Sequence, residues 1–410
     1  MVYSAIVIGG GPAGLAAALS VDINKKVLII EREEKLGGIL KQCIHDGFGV
    51  LRFGEKLSGP EYADRFITEV ENRDNIEVKI QNFVISIKKE KEQFVITTTS
   101  MEGIKSYHSQ SLILANGCRE RTPRQVSIHG TRPAGVMTAG VAQNFVNLCG
   151  YLPAKKCVIL GSGDIGLIMA RRLTLEGANV VGVYEAKPTP SGLSRNIQQC
   201  LYDFDIPLHL SKTVTRIFGD KRVTKVEVMS VDNKMNPIEG TQEIIECDSL
   251  IVSVGLIPEN ELAESLAIPI DCTTRGPIVD QNMMTKLDNV YSVGNALHVH
   301  DLVDYVSEVS ETAGKNVGKE SQRELITLKQ KGMLYLVPQM LNIKELKEKV
   351  SFYFRSAKDM EKAILRIMKN GEEIFKKKYT NLKPPEMEKI SLSLELSKND
   401  SVEFVLEEQK

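Results

Sequence analysis

The sequence predicts an α/β fold with two doubly wound parallel-sheet domains and a small β-rich domain at the end of the chain. Three observations in the 410 residues support this prediction. An apolar strand pattern, a glycine-rich turn and a helix follow one another near residue 5 and again near residue 157. Short apolar strands that end in glycine recur later in the chain. Beyond about residue 329 this alternation stops, and short alternating strands follow.

The first glycine-rich turn follows a strand pattern that ends at Ile8. Gly9, Gly11 and Gly14 fit the spacing G-x-G-x-x-G, which allows a tight turn, the close approach of a pyrophosphate and close helix–strand packing. The N-terminus of the next helix offers free N–H groups to phosphates. A second apolar strand ends in Glu31, a carboxylate placed to accept hydrogen bonds from an adenosine ribose. These features predict a dinucleotide-binding unit.

The second unit repeats this pattern. Gly161, Gly163 and Gly166 form the triplet, and the second strand ends in Glu185. An acid at that position accepts the free 2′-hydroxyl of NAD and repels the 2′-phosphate of NADP. Lys187 follows closely and can soften this discrimination. We therefore expect NAD(H) as the nicotinamide cofactor, with NADP(H) less favoured. The alternative for either turn is a tight strand–helix connection that binds no ligand.

Composition and charge exclude several classes of protein. The formal net charge of −1 removes the main electrostatic reason to bind nucleic acid or an anionic membrane. No apolar run approaches the ~20 residues of a membrane span, and the first apolar segment reads as strand, turn and helix rather than as a signal peptide. We therefore expect a cytoplasmic protein. The seven cysteines contain no CxxC pair, so neither a disulfide framework nor a metal site is expected.

The layout resembles that of the flavoprotein disulfide reductase superfamily, especially its thioredoxin-reductase-like members. Further strands that end in glycine lie at residues 111–117, 249–258 and 289–295, and a helix-like run follows at 303–317. The resemblance implies Rossmann-like FAD and NAD(P) domains, with the NAD domain inserted in the FAD domain. The implied boundaries are 1–122 and 255–328 for the FAD domain, 123–254 for the NAD(P) domain and 332–410 for the β-rich domain.

The resemblance also implies the cofactor contacts. For FAD they are Gly9, Gly11, Pro12, Ala13, Gly14, Glu31, Arg32, Gly37, Gly38, Ala115, Gly117, Gly294, Asn295 and His300. For NAD they are Gly161, Gly163, Asp164, Ile165, Gly166, Glu185 and Gly255. Asn295 stands where the superfamily usually has an aspartate near the flavin ribityl chain. An amide can accept and donate there, so FAD binding is expected with a different local charge.

Three segments resemble a narrower group within the superfamily. They are residues 117–123, 132–140 and 298–304. The group includes FAD subunits of dye-linked dehydrogenases for proline, opines and glycine. It also includes the NADH-oxidoreductase-like partner of a bacterial glycerol-3-phosphate dehydrogenase, to which residues 36–45 and the C-terminal extension are most similar. This resemblance implies a protein partner subunit, with a homo-oligomer as the alternative.

Catalytic side chains are few in this prediction, because the two cofactors carry the hydride chemistry. By the superfamily analogy residues 36–45 reach toward the flavin, which makes Cys43 and His45 candidate catalytic residues. Cys43 can cycle through a sulfenic acid or serve only in packing, and His45 is a proton donor or a structural histidine. His298 and His300 precede the helix expected at the flavin's pyrimidine edge, where a functional and a structural role are both open.

The sequence also contains two basic runs. The first consists of Arg119, Arg121, Arg124 and Arg132, and it is either a solvated connection or a contact for phosphate or substrate. The second, at residues 376–378, is predicted to be a solvated surface. The β-rich tail is expected either to dock a second copy or partner subunit or to support the FAD domain.

Together these features predict an FAD-dependent NADH oxidoreductase that passes electrons to or from a second acceptor or partner subunit, such as a glycerol-3-phosphate dehydrogenase. One alternative is an FAD subunit of an amine, proline or opine dehydrogenase. Another is an assembly subunit without catalytic activity. A thioredoxin-type disulfide reductase is disfavoured because the cysteine pair is missing. The electron acceptor, the direction of electron flow and the oligomeric state stay open.

Overall fold

The computed structural model describes residues 2–319, 322–346 and 349–409. It divides the chain into two compact units, Met1–Cys118 with Pro258–Lys410 and Arg119–Ile257. The β-rich tail falls in the first unit, and the predicted three-domain boundaries stay a prediction. The predicted segments 255–328 and 332–410 include residues 320, 321, 347, 348 and 410, which lie outside the described residues.

The two units contain strands and helices that are numbered here in chain order. The strands are β1 (Val2–Ile8), β2 (Val27–Ile30), β3 (Asp46–Phe48), β4 (Leu57–Ser58), β5 (Ile76–Lys79), β6 (Phe83–Glu90), β7 (Gln93–Ser100), β8 (Gly103–Leu114), β9 (Cys118–Glu120), β10 (His129–Gly130), β11 (Val136–Thr138), β12 (Lys156–Leu160), β13 (Asn179–Glu185), β14 (Leu208–Leu210), β15 (Lys212–Gly219), β16 (Val223–Ser230), β17 (Glu243–Glu246), β18 (Ser249–Val252), β19 (Leu256–Pro258), β20 (Val290–Ser292), β21 (Leu325–Thr327), β22 (Lys329–Lys331), β23 (Met333–Val337), β24 (Met340–Asn342), β25 (Val350–Ser356), β26 (Met360–Lys369), β27 (Glu372–Leu382), β28 (Glu388–Leu392) and β29 (Val402–Glu408). The helices are α1 (Pro12–Ser20), α2 (Gly59–Glu71), α3 (Ala139–Asn147), α4 (Asp164–Leu175), α5 (Ser194–Cys200), α6 (Glu261–Ser265) and α7 (Val303–Asn316). None of these helices combines the length and apolar character that a bilayer crossing requires.

The first unit is built on a seven-stranded sheet in the order β5-β2-β1-β8-β7-β6, with β20 also paired to β8. Strands β5, β2, β1, β8 and β20 run parallel, whereas β6, β7 and the first half of β8 form an antiparallel meander. All four residues of β2 are buried, as expected for a parallel strand covered on both faces. The carboxyl ends of β1, β2, β8 and β20 therefore meet at one edge of the sheet, where ligands bind in this class of fold.

Helices α1 and α7 cover the sheet in close contact. A Cβ atom placed at Gly314 in α7 would overlap the carbonyl oxygen of Ala17 in α1. At the other end of α1, a Cβ placed at Gly294 would lie 2.7 Å from the Cβ of Ala13 and 3.5 Å from Cγ1 of Val306, in the first turn of α7. The two helices therefore run side by side, with their N-termini at the same end.

The second unit has a five-stranded parallel sheet in the order β11-β18-β12-β13-β14 and a four-stranded sheet in the order β10-β15-β16-β17. Helices α3, α4 and α5 contribute buried apolar residues to the core beside the parallel sheet. The carboxyl ends of β12, β13 and β18 lie at one edge, as the corresponding strands do in the first unit. The predicted mixed α/β fold with Rossmann-like sheets is confirmed.

The tail forms two sheets, β22-β29-β26-β27 and β23-β25-β28, and a two-stranded pair, β21-β24. We call strands β21 to β29 the C-terminal β layer. The two sheets share one apolar core that includes Phe352, Phe354 and Phe404. Strand β27 was not predicted, because it is mostly polar and carries the lysines at 376–378. It lies at the end of its sheet, where lysines discourage pairing with other chains.

We predict that Gly314→Ala destabilises the protein by about 1–3 kcal/mol, the usual cost of overpacking, although alanine favours helix formation by ~1 kcal/mol. The added methyl group would meet the backbone of α1, so the two helices must separate. Lys315→Ala, one residue along α7 and largely exposed, is the control and should change stability by less than about 1 kcal/mol. Thermal unfolding of both variants measures the difference, and equal melting temperatures would contradict this view of the helix contact.

Candidate cofactor-binding sites

The first glycine turn is closed by backbone contacts that only glycine permits. Gly9 has a φ of +105°, and a Cβ at this position would overlap the carbonyl oxygen of Ala115. A Cβ at Gly14 would in turn overlap the carbonyl oxygen of Gly9. Pro12, whose missing N–H is no loss at this position, is the first residue of α1. The structure thus brings four predicted FAD residues, Gly9, Pro12, Gly14 and Ala115, together at the N-terminus of a helix.

Glu31 lies directly beside this turn, at the end of β2. Its side chain is buried, and one carboxylate oxygen, Oε2, accepts a hydrogen bond of 2.6 Å from the backbone N–H of Gly10. The other oxygen, Oε1, accepts a bond of 2.8 Å from the N–H of Glu33. A carboxylate oxygen has two lone pairs, so each keeps one for a further donor such as a ribose hydroxyl.

The turn formed by Gly37 and Gly38 packs against the first glycine turn. The N–H of Gly37 donates to the carbonyl of Gly10 over 2.8 Å, and a Cβ at Gly38 would lie 2.9 Å from the Cα of Gly11. This arrangement supports the prediction that residues after Glu31 approach the same ligand.

Asn295 follows shortly after strand β20 and lies next to α1. Its side-chain oxygen accepts a hydrogen bond of 3.1 Å from the N–H of His300. Its amide nitrogen lies 3.7 Å from the sulfur of Cys118. Sequence reasoning missed Cys118, although it directly follows the predicted strand end at Gly117. The structure therefore brings together two predicted FAD residues and one cysteine that was not predicted.

Glu259 is a second residue that the sequence did not indicate. The guanidinium of Arg32 lies 3.2 Å from its carboxylate, and its N–H donates to the carbonyl of Gly117 over 3.0 Å. Its carbonyl accepts from the side-chain amide of Asn116. Arg32 and Gly117, both predicted FAD residues, are thus connected through Glu259.

His298 and His300 form a buried, stacked pair. Their ring centroids are 3.9 Å apart, and among the described residues none of the four ring nitrogens has a hydrogen-bond partner. Burial lowers the pKa of both histidines, that of His300 to about 3, because a cation is poorly solvated there. Both rings are therefore neutral at physiological pH. Unpaired buried polar atoms are costly, so these nitrogens suit a ligand with its own hydrogen-bonding edge.

Cys43 and His45 have environments typical of packing residues. The thiol of Cys43 donates to the carbonyl of Ile39 over 3.3 Å, and a Cβ at Gly59 would lie 2.8 Å from the Cβ of Cys43. Burial raises the pKa of this thiol to about 12, which disfavours a nucleophilic thiolate. The ring of His45 is partly buried, 5.1 Å from that of Phe48. The structure favours the packing interpretation of Cys43.

The second glycine turn repeats the geometry of the first. Gly161 has a φ of +101°, and a Cβ there would overlap the carbonyl oxygen of Ser253. A Cβ at Gly166 would lie 2.6 Å from the carbonyl oxygen of Gly161. Gly163 faces open space within 4 Å of where its Cβ would be, which leaves room for a ligand. Ile165 lies in the first turn of α4 and packs against the core of this unit.

Glu185 lies at the end of β13 in a network of hydroxyl and backbone donors. Its Oε2 accepts from the N–H and the hydroxyl of Ser162 over 3.0 and 2.6 Å, and from the hydroxyl of Ser191 over 3.1 Å. Its Oε1 accepts only a bond of 3.1 Å from the N–H of Lys187 among the described contacts. Oε1 is therefore the oxygen with room for a ribose hydroxyl.

Asp164 and Gly255 are held within the second unit. Asp164 accepts hydrogen bonds from the N–H of Leu193 and the side-chain amide of Asn196, over 2.9 and 2.7 Å. It thus fastens the segment after β13 to the N-terminus of α4. The carbonyl of Gly255 accepts from the N–H of Arg121 over 3.1 Å.

The chain is similar to known proteins over most of its length. The family model described as pyridine nucleotide-disulphide oxidoreductase matches residues 3–316. The hydrogen cyanide synthase subunit HcnB of Pseudomonas protegens is 25% identical over 322 residues, which is 73% of this chain and 65% of that protein. The NAD(P)H coenzyme A polysulfide/persulfide reductase of Pyrococcus horikoshii is 26% identical over 310 residues, or 73% of this chain and 63% of that protein. The chain thus spans less than two thirds of the length of these relatives.

The fold of the chain is also similar to that of a solved structure. The thioredoxin reductase of T. acidophilum superposes with a TM-score of 0.62 at 22% identity, over 77% of this chain and 97% of that one. The similarity extends to the arrangement of sheets and helices.

We predict that Cys43 reacts far more slowly with an alkylating reagent than the exposed thiols of Cys149 and Cys272. At pH 8 a thiol with a pKa of about 12 has roughly 10⁻⁴ of its molecules as thiolate, against about a quarter for an ordinary cysteine. Peptide mapping of the native protein after timed labelling measures the three rates. Labelling of Cys43 as fast as that of the exposed cysteines would show that its thiol is activated and accessible.

We also predict that acid destabilises the protein through His300. The unfolded histidine binds a proton below about pH 6.5, whereas the folded one does so only near pH 3. The contribution of His300 to the free energy of unfolding is thus fully present above pH 6.5. It is lost as the pH decreases toward 3, by at most ~1.4 kcal/mol per pH unit. His300→Asn should flatten this dependence in denaturant titrations between pH 7 and 5, while the exposed His129→Asn should leave it unchanged. An unchanged slope in His300→Asn would contradict the assignment.

Proposed function

We propose that this chain, which belongs to the pyridine nucleotide-disulphide oxidoreductase family, is an FAD-dependent NAD(P)H oxidoreductase that uses NADH. One observation carries the proposal. In each unit a buried glutamate at the end of the second strand accepts the N–H of the second residue of a glycine turn. This is the arrangement that a dinucleotide requires, with an acid for the ribose beside a helix N-terminus for the phosphates.

The first unit fits FAD. Glu31 would hold the adenosine ribose, the turn from Gly9 to Gly14 would hold the diphosphate, and Asn295 would contact the ribityl chain. The four unpaired ring nitrogens of His298 and His300 fit a ligand with a hydrogen-bonding edge, which the flavin ring has. When bound, FAD supplies the capacity to accept a hydride and to pass electrons on. The protein's part is to bind, orient and exclude water.

The second unit fits the nicotinamide nucleotide, for which NADH is proposed. The hydrogen-bond donors to Glu185 are neutral groups, namely two serine hydroxyls and backbone amides. A carboxylate in that position accepts the 2′-hydroxyl of NADH and repels the 2′-phosphate of NADPH. Lys187 donates its backbone N–H to Glu185, and its positive charge close to that carboxylate is the feature that can soften the discrimination.

The proposed electron partner is a second protein. Without a CxxC pair in the sequence, a disulfide relay within this chain has no support. The resemblance of residues 36–45 makes a flavin-containing glycerol-3-phosphate dehydrogenase subunit the first candidate. A role as FAD subunit of an amine, proline or opine dehydrogenase is the second, and the similarity to HcnB, which is named as a subunit of hydrogen cyanide synthase, favours a subunit role.

We predict that anaerobic NADH bleaches the yellow absorbance of the purified protein rapidly and that NADPH does so slowly. Each nucleotide is titrated into the protein while the flavin band is recorded. A colourless protein that does not take up added FAD would contradict the proposed function and favour an assembly subunit. A yellow protein bleached by neither nucleotide would favour the dehydrogenase-subunit alternative.

The role of Glu185 is tested by Glu185→Gln in the same titration. Removal of the charge should reduce the preference for NADH over NADPH by about tenfold, which corresponds to ~1.4 kcal/mol. Glu176→Gln, at an exposed glutamate of the same unit that pairs with Arg172, is the matched control and should keep the preference. An unchanged preference in Glu185→Gln would remove Glu185 as the selector.

A further inference from the structure

Arg355, in strand β25 of the C-terminal β layer, has its side chain largely buried against the loop of residues 298–304. The guanidinium pairs with the carboxylate of Asp301 and lies 3.4 Å from the carbonyl of Val299. It also donates to the hydroxyl of Tyr335 over 3.0 Å and to the carbonyl of Pro385. A guanidinium has five donors in a rigid fork, so Arg355 can hold this loop at several points at once.

Other contacts of the C-terminal β layer act on the same loop and on α7. The second oxygen of Asp301 accepts a hydrogen bond of 2.6 Å from the N–H of Met387. The ammonium of Lys389 lies 2.5 Å from the carboxylate of Glu308 in α7. Arg355 in β25 and Met387 before β28 contact the loop itself, and Lys389 contacts the helix that follows it. The layer therefore holds the loop in addition to local hydrogen bonds such as that from the N–H of His298 to the carbonyl of Gly294.

The layer also encloses the two histidines. The ring of Tyr335 lies 5.4 Å from that of His298, and the ring of Tyr353 lies 6.0 Å from His298 and 6.2 Å from His300. His300 in turn donates its N–H to Asn295. A continuous set of contacts therefore connects Arg355 to the residues proposed to face the flavin.

We propose that Arg355 is a positioning residue for the flavin end of the FAD site, acting through Asp301 and the loop that carries His298 and His300. This inference rests on the proposed function, and it gives the C-terminal β layer a role in completing that site. A hydrogen-bonded loop in a fixed conformation binds a ligand without a further cost of ordering. A shift of about 1 Å in such a group can reduce a rate by roughly 100-fold.

The test compares Arg355→Met with Arg366→Met. Arg366 belongs to the same layer and also forms ion pairs, but its partners Glu373 and Glu407 lie in β27 and β29 rather than in the loop. In Arg355→Met we expect the amides of residues 298–304 to lose protection from hydrogen exchange in the flavin-free protein. We also expect the affinity for FAD to fall about 10- to 100-fold and the midpoint potential of bound FAD to shift. Arg366→Met should match the unmutated protein in all three measurements.

A milder variant keeps the test decisive if Arg355→Met does not fold. Asp301→Asn removes the charge of the ion pair and retains an acceptor for Met387, and we expect a smaller change in exchange and affinity in the same direction. Normal exchange, affinity and potential in a folded variant at either position would overturn the inference. If the unmutated protein itself binds no FAD, the proposed function fails instead, and the exchange measurement on residues 298–304 still reports whether Arg355 holds the loop.

Discussion

A buried carboxylate needs hydrogen-bond donors, and in both units the donors come from a glycine turn. Glu31 receives the N–H of Gly10, and Glu185 receives the N–H and hydroxyl of Ser162. An unpaired charge in such a position would be strongly destabilising. The carboxylate and the turn therefore hold each other in place. This contact sets the position of the strand end relative to the helix N-terminus, and with it the space for a phosphate.

The buried carboxylates of the two units accept hydrogen bonds from different sets of donors. Glu31 is held by backbone N–H groups alone, whereas Glu185 also accepts two serine hydroxyls, one of them from the segment after β13. Hydroxyl groups can rotate and backbone amides cannot. The donors to Glu31 are thus fixed by the backbone, which suits the proposed FAD that stays bound, whereas the hydroxyl donors to Glu185 can adjust to the proposed NADH that enters and leaves.

The sequence predicted the parts of this fold that depend on local pattern. The strand ending at Ile8, the helix after Gly14 and the acids at 31 and 185 all follow from glycine spacing and apolar runs. Glu259, Cys118 and Arg355 were missed because they reach the site only through contacts distant in sequence. The environment of Cys43 could not be predicted either, since its burial depends on how closely Gly59 approaches. The specific cofactor contacts stay predictions.

Residues near the predicted flavin site come from positions as far apart as Gly9 and Met387 in the chain. The loop of residues 298–304 is held by side chains and backbone groups that a ribosome adds later than the loop itself. Domains form during translation from the N-terminus, so the glycine turn can fold while this loop still lacks its supports. Capture of the flavin ring would then wait until residues 355–387 have been added, and a shorter nascent chain would hold at most the nucleotide half of the cofactor.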